Sequence, residues 1–359
     1  MKAAQFFGKG DIRVVDVPRP DPKDTEVLID IEWCGICGSD LHEYIQGPMT
    51  IPRKERPHAI TKEHFPVTMG HEFCGRVSKA PSGSNLSPGQ VVMVDPRIYC
   101  GSCTRCNAES TNACHSWGFK GLSGSGGGFS EAVAIDAKLC YPLPDSVDVA
   151  LAALIEPLAV AWHAVELCNV SDWSTQSTLI VGGGPVGIAH IFVLRAKGCK
   201  QIYVSEPTSL RAEQNRQLAD EVFNPLITNV AEKCRELTGG EGVDVVFDCA
   251  GIQKGMDAGM AALRYKGLYM NVAGWETPMV VPQYHLLLKE LTLKASMAYD
   301  DKHFAETVNA FVAGKFEGVE KMVTSRIYID DISKKGFDEL VTNKDQHIKI
   351  MVTTHKDKV

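Results

Sequence analysis

Between the apolar run TLIV and the helix-forming stretch IAHIFVLRAKG stands the glycine-rich sequence GGGPVG, residues 182–187. Gly182, Gly184 and Gly187 fall in the spacing G-x-G-x-x-G. Each glycine answers a separate steric demand: a tight turn, close approach of backbone to a pyrophosphate, and close packing of a helix on a strand. The helix opening at Pro185 and Val186 then aims its free N–H groups at the phosphates. Glu206 ends the next apolar strand, QIYVSEP, 19 positions beyond Gly187. A carboxylate there accepts hydrogen bonds from an adenosine ribose and repels a 2′-phosphate. The pattern points to NAD in preference to NADP, with Arg211 a further candidate near the adenosine. Plain turns of an α/β sheet are the competing reading for the glycines, and solvated surface positions the competing reading for Glu206 and Arg211.

The same alternation recurs downstream of this loop. GVDVVFDCAG and KGLYMNVAG repeat the apolar strand that ends in glycine, and strand alternating with helix over roughly 140 residues predicts a doubly wound parallel sheet. Upstream, short Val/Ile-rich runs (EVLIDIEW, CGRVSKA, VVMVDP, FSEAVAI) broken by turns predict a β-rich domain. Residues 44–66, with four prolines and no clean period, form an expected surface excursion. The stretch VDVALAALIEPLAVAWHAVELC is a helix candidate that Pro157 should end or kink. In the tail, HFAETVNAFVAGK is a helix candidate and IKIMV a strand; periodicity does not decide whether the tail extends the parallel sheet or returns to the first domain.

A chain of 359 residues with 44% hydrophobic content fills two cores, and its net charge of -7 gives no global positive field to hold nucleic acid. The opening MKAAQFFGKGDIR has no apolar signal stretch, and no apolar run approaches the ~20 residues of a membrane span. The expected compartment is the cytoplasm, where twelve cysteines are read first as metal ligands or buried thiols rather than disulfides.

Cys100, Cys103, Cys106 and Cys114 follow C-x2-C-x2-C-x7-C. Four thiolates on one loop can close a tetrahedral Zn²⁺ shell and leave no position for substrate, which makes a structural site. Iron–sulfur ligation competes, but the long last interval favours zinc. A second grouping is dispersed: Cys37 in WCGICGSDLH, His71 and Glu72 in MGHEF, and Glu156 in LIEPLA. One thiolate, one imidazole and one carboxylate can hold zinc with a position left open. Taken on spacing alone, a buried structural Cys37 and a packed or hydrogen-bonded His71 are the more ordinary reading.

With CGICGSDLHEY, GHEFCG, the four-cysteine lobe, GGFSEAV, PLAVAWHA, GGGPVG, SEP, FDCAG and KIMV, nearly the whole chain resembles the zinc-dependent medium-chain dehydrogenase/reductase family. The likeness is strongest to the family's (R,R)-2,3-butanediol dehydrogenase branch. The resemblance implies an α/β fold: a GroES-like β-rich catalytic domain over 1–151 with a structural-zinc lobe near 96–116, a Rossmann NAD-binding domain over 152–297, and a segment 298–359 completing the catalytic domain. It implies two zinc ions per chain, one catalytic and one structural. Cys37 and His71 match the catalytic ligands, and either Glu72 or Glu156 supplies the carboxylate.

The resemblance further implies that Asp40 orients His71, that Cys34 and Cys74 are small buried side chains, and that Ser39 and His42 match a proton relay running from hydroxyl through the nicotinamide ribose to imidazole. The expected substrates are vicinal diols, hydroxyketones or secondary alcohols, with a polyol of the sorbitol or xylitol type as the alternative. A homodimer or homotetramer is expected, with the apolar region 279–288 a candidate cover for a sheet edge.

Overall fold

In the computed structural model, which describes residues 1–359, the chain forms two compact units. One comprises Met1–Glu156, Asp300–Ala313 and Glu320–Val359; the other comprises Pro157–Tyr299 and Gly314–Val319.

The second unit holds a six-stranded sheet built from Ser177–Val181, Gln201–Ser205, Glu221–Phe223, Val243–Asp248, Leu263–Asn271 and Thr292–Ala295. Numbered by chain position, they lie in the order third, second, first, fourth, fifth, sixth, and every pairing is parallel. Ser177–Val181 is buried at all five positions, as a strand must be when helices cover both faces of its sheet. Leu179, Val181, Val246, Met256, Met260 and Tyr269 belong to one core cluster. Because the chain turns outward in opposite directions from the first and fourth strands, a crevice opens at their carboxyl ends, where Gly182 begins the loop.

The first unit is β-rich, as its short runs predict. Glu26–Gly35 pairs antiparallel with Glu72–Lys79, Ala132–Asp136 and Lys349–Thr353, and Val323–Tyr328 pairs parallel with the last of these. The tail therefore returns to this unit, with Met351 opposite Gly35 and Val352 opposite Cys34. It is also tied in by charge. The buried Arg97 guanidinium donates to Asp95, to Thr111 and to Asp301 at the start of the helix Asp301–Val312, linking the sheet, the cysteine lobe and the tail through one cation.

The region around Pro157 departs from the sequence expectation. Two helices form, Val149–Ala152 and Ile155–Glu166, and Pro157 sits in the first turn of the second. An N–H missing there removes no intrahelical bond, so proline opens this helix instead of ending the previous one. No helix is long and apolar enough to cross a membrane.

Candidate active site and metal centres

The four lobe cysteines lie on a short helix, Thr104–Asn107, and the loops beside it. Their ligand atoms all fall within 4.8 Å of one another. Sγ separations are 4.0 Å for Cys100–Cys106, 3.6 Å for Cys103–Cys106, 4.0 Å for Cys103–Cys114 and 3.5 Å for Cys100–Cys114. A tetrahedron with metal–sulfur bonds near 2.3 Å has edges of about 3.8 Å, so this cage fits zinc. Backbone N–H groups of Ser102 and Cys103 hold the Cys100 thiol down at about 6, and those of Cys106 and His115 lower Cys103. Burial and the neighbouring thiols push Cys106 up to about 12. Adjacent thiolates repel, so ionising all four requires a compensating cation.

The dispersed grouping is assembled by a helix and a strand. Cys37 caps the helix Gly38–Gln46, which also carries Ser39, Asp40, His42 and Glu43. His71 immediately precedes the strand Glu72–Lys79. Asp40, fully buried, serves both candidate ligands. Its Oδ2 accepts from the Cys37 N–H at 3.0 Å, and its Oδ1 lies 3.3 Å from His71 Nδ1. This leaves Nε2 as the nitrogen that could face a metal, and Ser39 Oγ lies 3.1 Å from it. Burial disfavours an imidazolium, but Asp40 and Cys37 outweigh it and hold His71 well above its usual range. The pocket thus favours a cation, and its S, N and O donors suit zinc. His42 is exposed on the same helix.

The two candidate carboxylates differ. Both oxygens of Glu72 lie 2.7 Å from Lys349 Nζ, and both residues are almost wholly buried. Lys349 also donates to the Ile36 carbonyl. Gly35 makes room for the pair, since a Cβ there would lie 2.2 Å from Glu72 Oε2. Glu156, 3% exposed in the first turn of its helix, belongs to the same unit as Cys37 and His71. Cys34 and Cys74 are buried; their thiols face the carbonyls of Gly35 and Val149, and burial raises both, Cys74 to about 12. They are neutral, space-filling groups.

Sequence reasoning missed Lys349 and Glu43. A lysine inside the apolar strand IKIMV was the available signal, since a buried ammonium requires a partner. Glu43, 2% exposed, accepts from the N–H groups of Met49, Thr50 and Ile51 and from the Thr50 hydroxyl. It folds the start of the 44–66 excursion against the helix that carries Ser39. Through Met49, Ile51, Arg53 and His58 that excursion lines a cavity of about 460 Å³, whose wall also includes Trp117, just after the cysteine lobe. Trp117 packs edge-on to Phe119 at 4.9 Å, and Phe119 to His71 at 5.5 Å, which connects the cavity wall to the candidate ligand.

In the second unit the glycine loop has the steric properties its spacing predicts. Gly182 takes a φ of +97°, and a Cβ on Gly187 would lie 2.0 Å from the Gly182 carbonyl oxygen. Gly184 caps the helix Pro185–Ala196, with Pro185 in its first turn. Arg211 Nη1 would be 3.6 Å from a Cβ on Gly184, placing a guanidinium beside the helix N-terminus. Glu206, 4% exposed, accepts from Gly183 N–H and Thr208 N–H, one on each oxygen, both at 2.8 Å. Each oxygen retains a lone pair for a further donor, so the loop and its acid fit a dinucleotide.

Comparison with known proteins agrees with both units. Residues 23–145 match the alcohol dehydrogenase GroES-like domain, and 185–313 match the zinc-binding dehydrogenase domain. The chain is 37% identical over 355 residues to an (R,R)-butanediol dehydrogenase of Neisseria gonorrhoeae, covering 98% of this chain and 99% of that one. It is 36% identical over 378 residues to one of Saccharomyces cerevisiae, covering 98% of each. The crystal structure of 2R,3R-butanediol dehydrogenase from Bacillus subtilis superposes with a TM-score of 0.91 at 34% identity, covering 99% of both chains. With both domains matched and relatives similar from end to end, the chain belongs to the zinc-dependent medium-chain dehydrogenase/reductase family.

Proposed function

We propose that this protein interconverts a vicinal diol and its hydroxyketone, (R,R)-2,3-butanediol and (R)-acetoin, with NAD as hydride acceptor. The observation that carries the reading is the Cys37–Ser39–His71 constellation, in which the Ser39 hydroxyl stands 3.1 Å from His71 Nε2. The substrate assignment is supported by the full-length likeness to butanediol dehydrogenases at 36–37% identity, against 28% for a D-xylulose reductase of Aspergillus oryzae. Cys37, His71 and Glu156 hold the catalytic zinc, whose chemistry is Lewis-acid polarisation of the substrate oxygen. Glu156 is preferred to Glu72 because Lys349 already engages both Glu72 oxygens.

Ser39 Oγ accepts the hydroxyl proton as the alcohol is oxidised. Ser39 would release its own proton toward the nicotinamide ribose hydroxyls, and from these His42, three positions along the same helix and exposed, would deliver it to water. Cys100, Cys103, Cys106 and Cys114 hold the structural zinc. In the second unit, the loop of Gly182, Gly184, Pro185, Val186 and Gly187 receives the pyrophosphate, with Arg211 beside it. The buried Glu206 carboxylate selects NAD by accepting from the ribose and repelling a 2′-phosphate.

The protein acts in the cytoplasm as a homodimer or homotetramer. Support for assembly comes from the edge strand Thr292–Ala295 and the helix Gln283–Leu288 before it, where Tyr284, Leu287, Leu288 and Leu293 are exposed. The deciding experiment is a steady-state panel with NAD over the butanediol stereoisomers, sorbitol and xylitol. The (R,R) isomer should give the highest kcat/KM; sorbitol exceeding every butanediol isomer would overturn the substrate assignment.

A further inference from the structure

Asn215 lies in the helix Ser209–Arg216, whose sequence SLRAEQNR is largely polar, yet it is fully buried. Asparagine is a poor choice for a helix interior, and a buried amide is costly unless its hydrogen bonds are made. Here both donors are used: Nδ2 donates to the Gly183 carbonyl at 2.9 Å and to the Arg211 carbonyl at 2.7 Å. The acceptor is not used, for Asn215 Oδ1 is buried with no hydrogen-bond partner. A residue that only filled space would be apolar and would leave nothing unsatisfied.

The other polar group of Gly183 is also held. Its N–H donates to Glu206 Oε2 at 2.8 Å, so one glycine in the loop is fixed on both sides, by the acid ending the second strand and by the amide of the following helix. The fit is close: a Cβ on Gly183 would stand 2.6 Å from Asn215 Nδ2. We infer that Asn215 is a positioning residue of the dinucleotide site, keeping the Gly183 carbonyl turned into the protein and away from the pyrophosphate. The inference rests on residues 182–187 being the pyrophosphate loop. A carbonyl swung outward would set partial negative charge against the phosphates, at the helix end whose N–H groups and nearby Arg211 otherwise attract them. Pre-setting the peptide removes the need to order it when the ligand binds.

The test uses the full-length zinc-loaded protein and three probes: NADH, ADP-ribose, which keeps the pyrophosphate, and adenosine, which has none. In Asn215→Leu the affinities for NADH and ADP-ribose should each fall about tenfold, the scale of one lost hydrogen bond with its orientation. Adenosine affinity should hold within about twofold, KM for NAD should rise, and kcat at saturating NAD should stay near wild type. Asn215→Ser, whose hydroxyl is too short to reach Gly183, gives the same readout should the leucine variant fold poorly. Unchanged ADP-ribose affinity, or an equal loss for adenosine, overturns the positioning role. Wild-type protein that binds adenosine but gains nothing from the pyrophosphate would overturn the loop assignment itself, a separate failure.

Discussion

The cysteine lobe and the Cys37–His71 centre draw on overlapping ligand types but obtain their rigidity differently. In the lobe, four thiols lie within 4.8 Å of one another on a short stretch of chain; ionising all four together requires a compensating cation, so a metal held there would also brace the lobe. At the second centre the protein supplies the brace itself: Asp40 ties Cys37 to His71, and Lys349 neutralises Glu72. A closed shell can sit on loops because its metal binds it together. An open site must keep its geometry with one position free, and the proposed one would rest on a helix start, a sheet strand and a buried ion pair.

That contrast makes the largest expected effect fall on the lobe. Cys103→Ser should remove one zinc equivalent and most of the soluble protein, whereas Cys37→Ser should also lose one zinc but leave the fold and NADH binding intact. Metal analysis beside circular dichroism separates the two, and a Cys103→Ser protein that folds with both zinc ions would break the comparison. Next in size, Ser39→Ala should cut diol oxidation by about 10²–10⁴-fold, the usual range for losing a positioned proton acceptor. Two zinc ions and wild-type NADH affinity should remain; wild-type turnover in that variant would sink the relay.

A third effect should appear in stability. Lys349→Met strands the Glu72 carboxylate in the interior, which costs about 3–5 kcal/mol for a broken buried pair. The double change with Glu72→Gln should recover most of the loss, because two neutral groups of similar size leave no charge unpaired. Equal urea midpoints for the single and double variants would show that the pair carries no structural weight.

The same contrast explains what was legible in the sequence. The four lobe cysteines announce themselves because ligand spacing and ligand geometry are both local there. Gly182, Gly187 and Glu206 are legible for a similar reason: each answers a steric or electrostatic demand within one strand–helix–strand unit. Lys349 is 277 positions from Glu72, so its partner could not be read from spacing, although a lysine in an apolar strand signals that one exists. Asn215 gives no such signal, being one polar residue among many in SLRAEQNR, and only the fold turns it inward. Pro157 was misjudged because a proline is compatible with the opening of a helix as well as its end, and the break at residues 153–154 decided between them.

The smallest expected effect probes how much of the open centre's geometry rests on one carboxylate. Asp40 accepts from the Cys37 N–H and lies against His71 Nδ1; Asp40→Asn keeps the shape and can keep the first contact, but removes the charge behind the imidazole. Groups behind a ligating histidine typically contribute 10–100-fold to metal affinity or activity, about 1.4–2.7 kcal/mol. In competition with a chelator, the variant should release one zinc about 10–100 times more readily while the other stays at its wild-type affinity. The unchanged ion serves as the internal control, because a general loosening of the unit would release both. Equal weakening of the two zinc ions would mean that Asp40 supports the fold at large, and the division between a metal-braced lobe and a protein-braced centre would no longer stand.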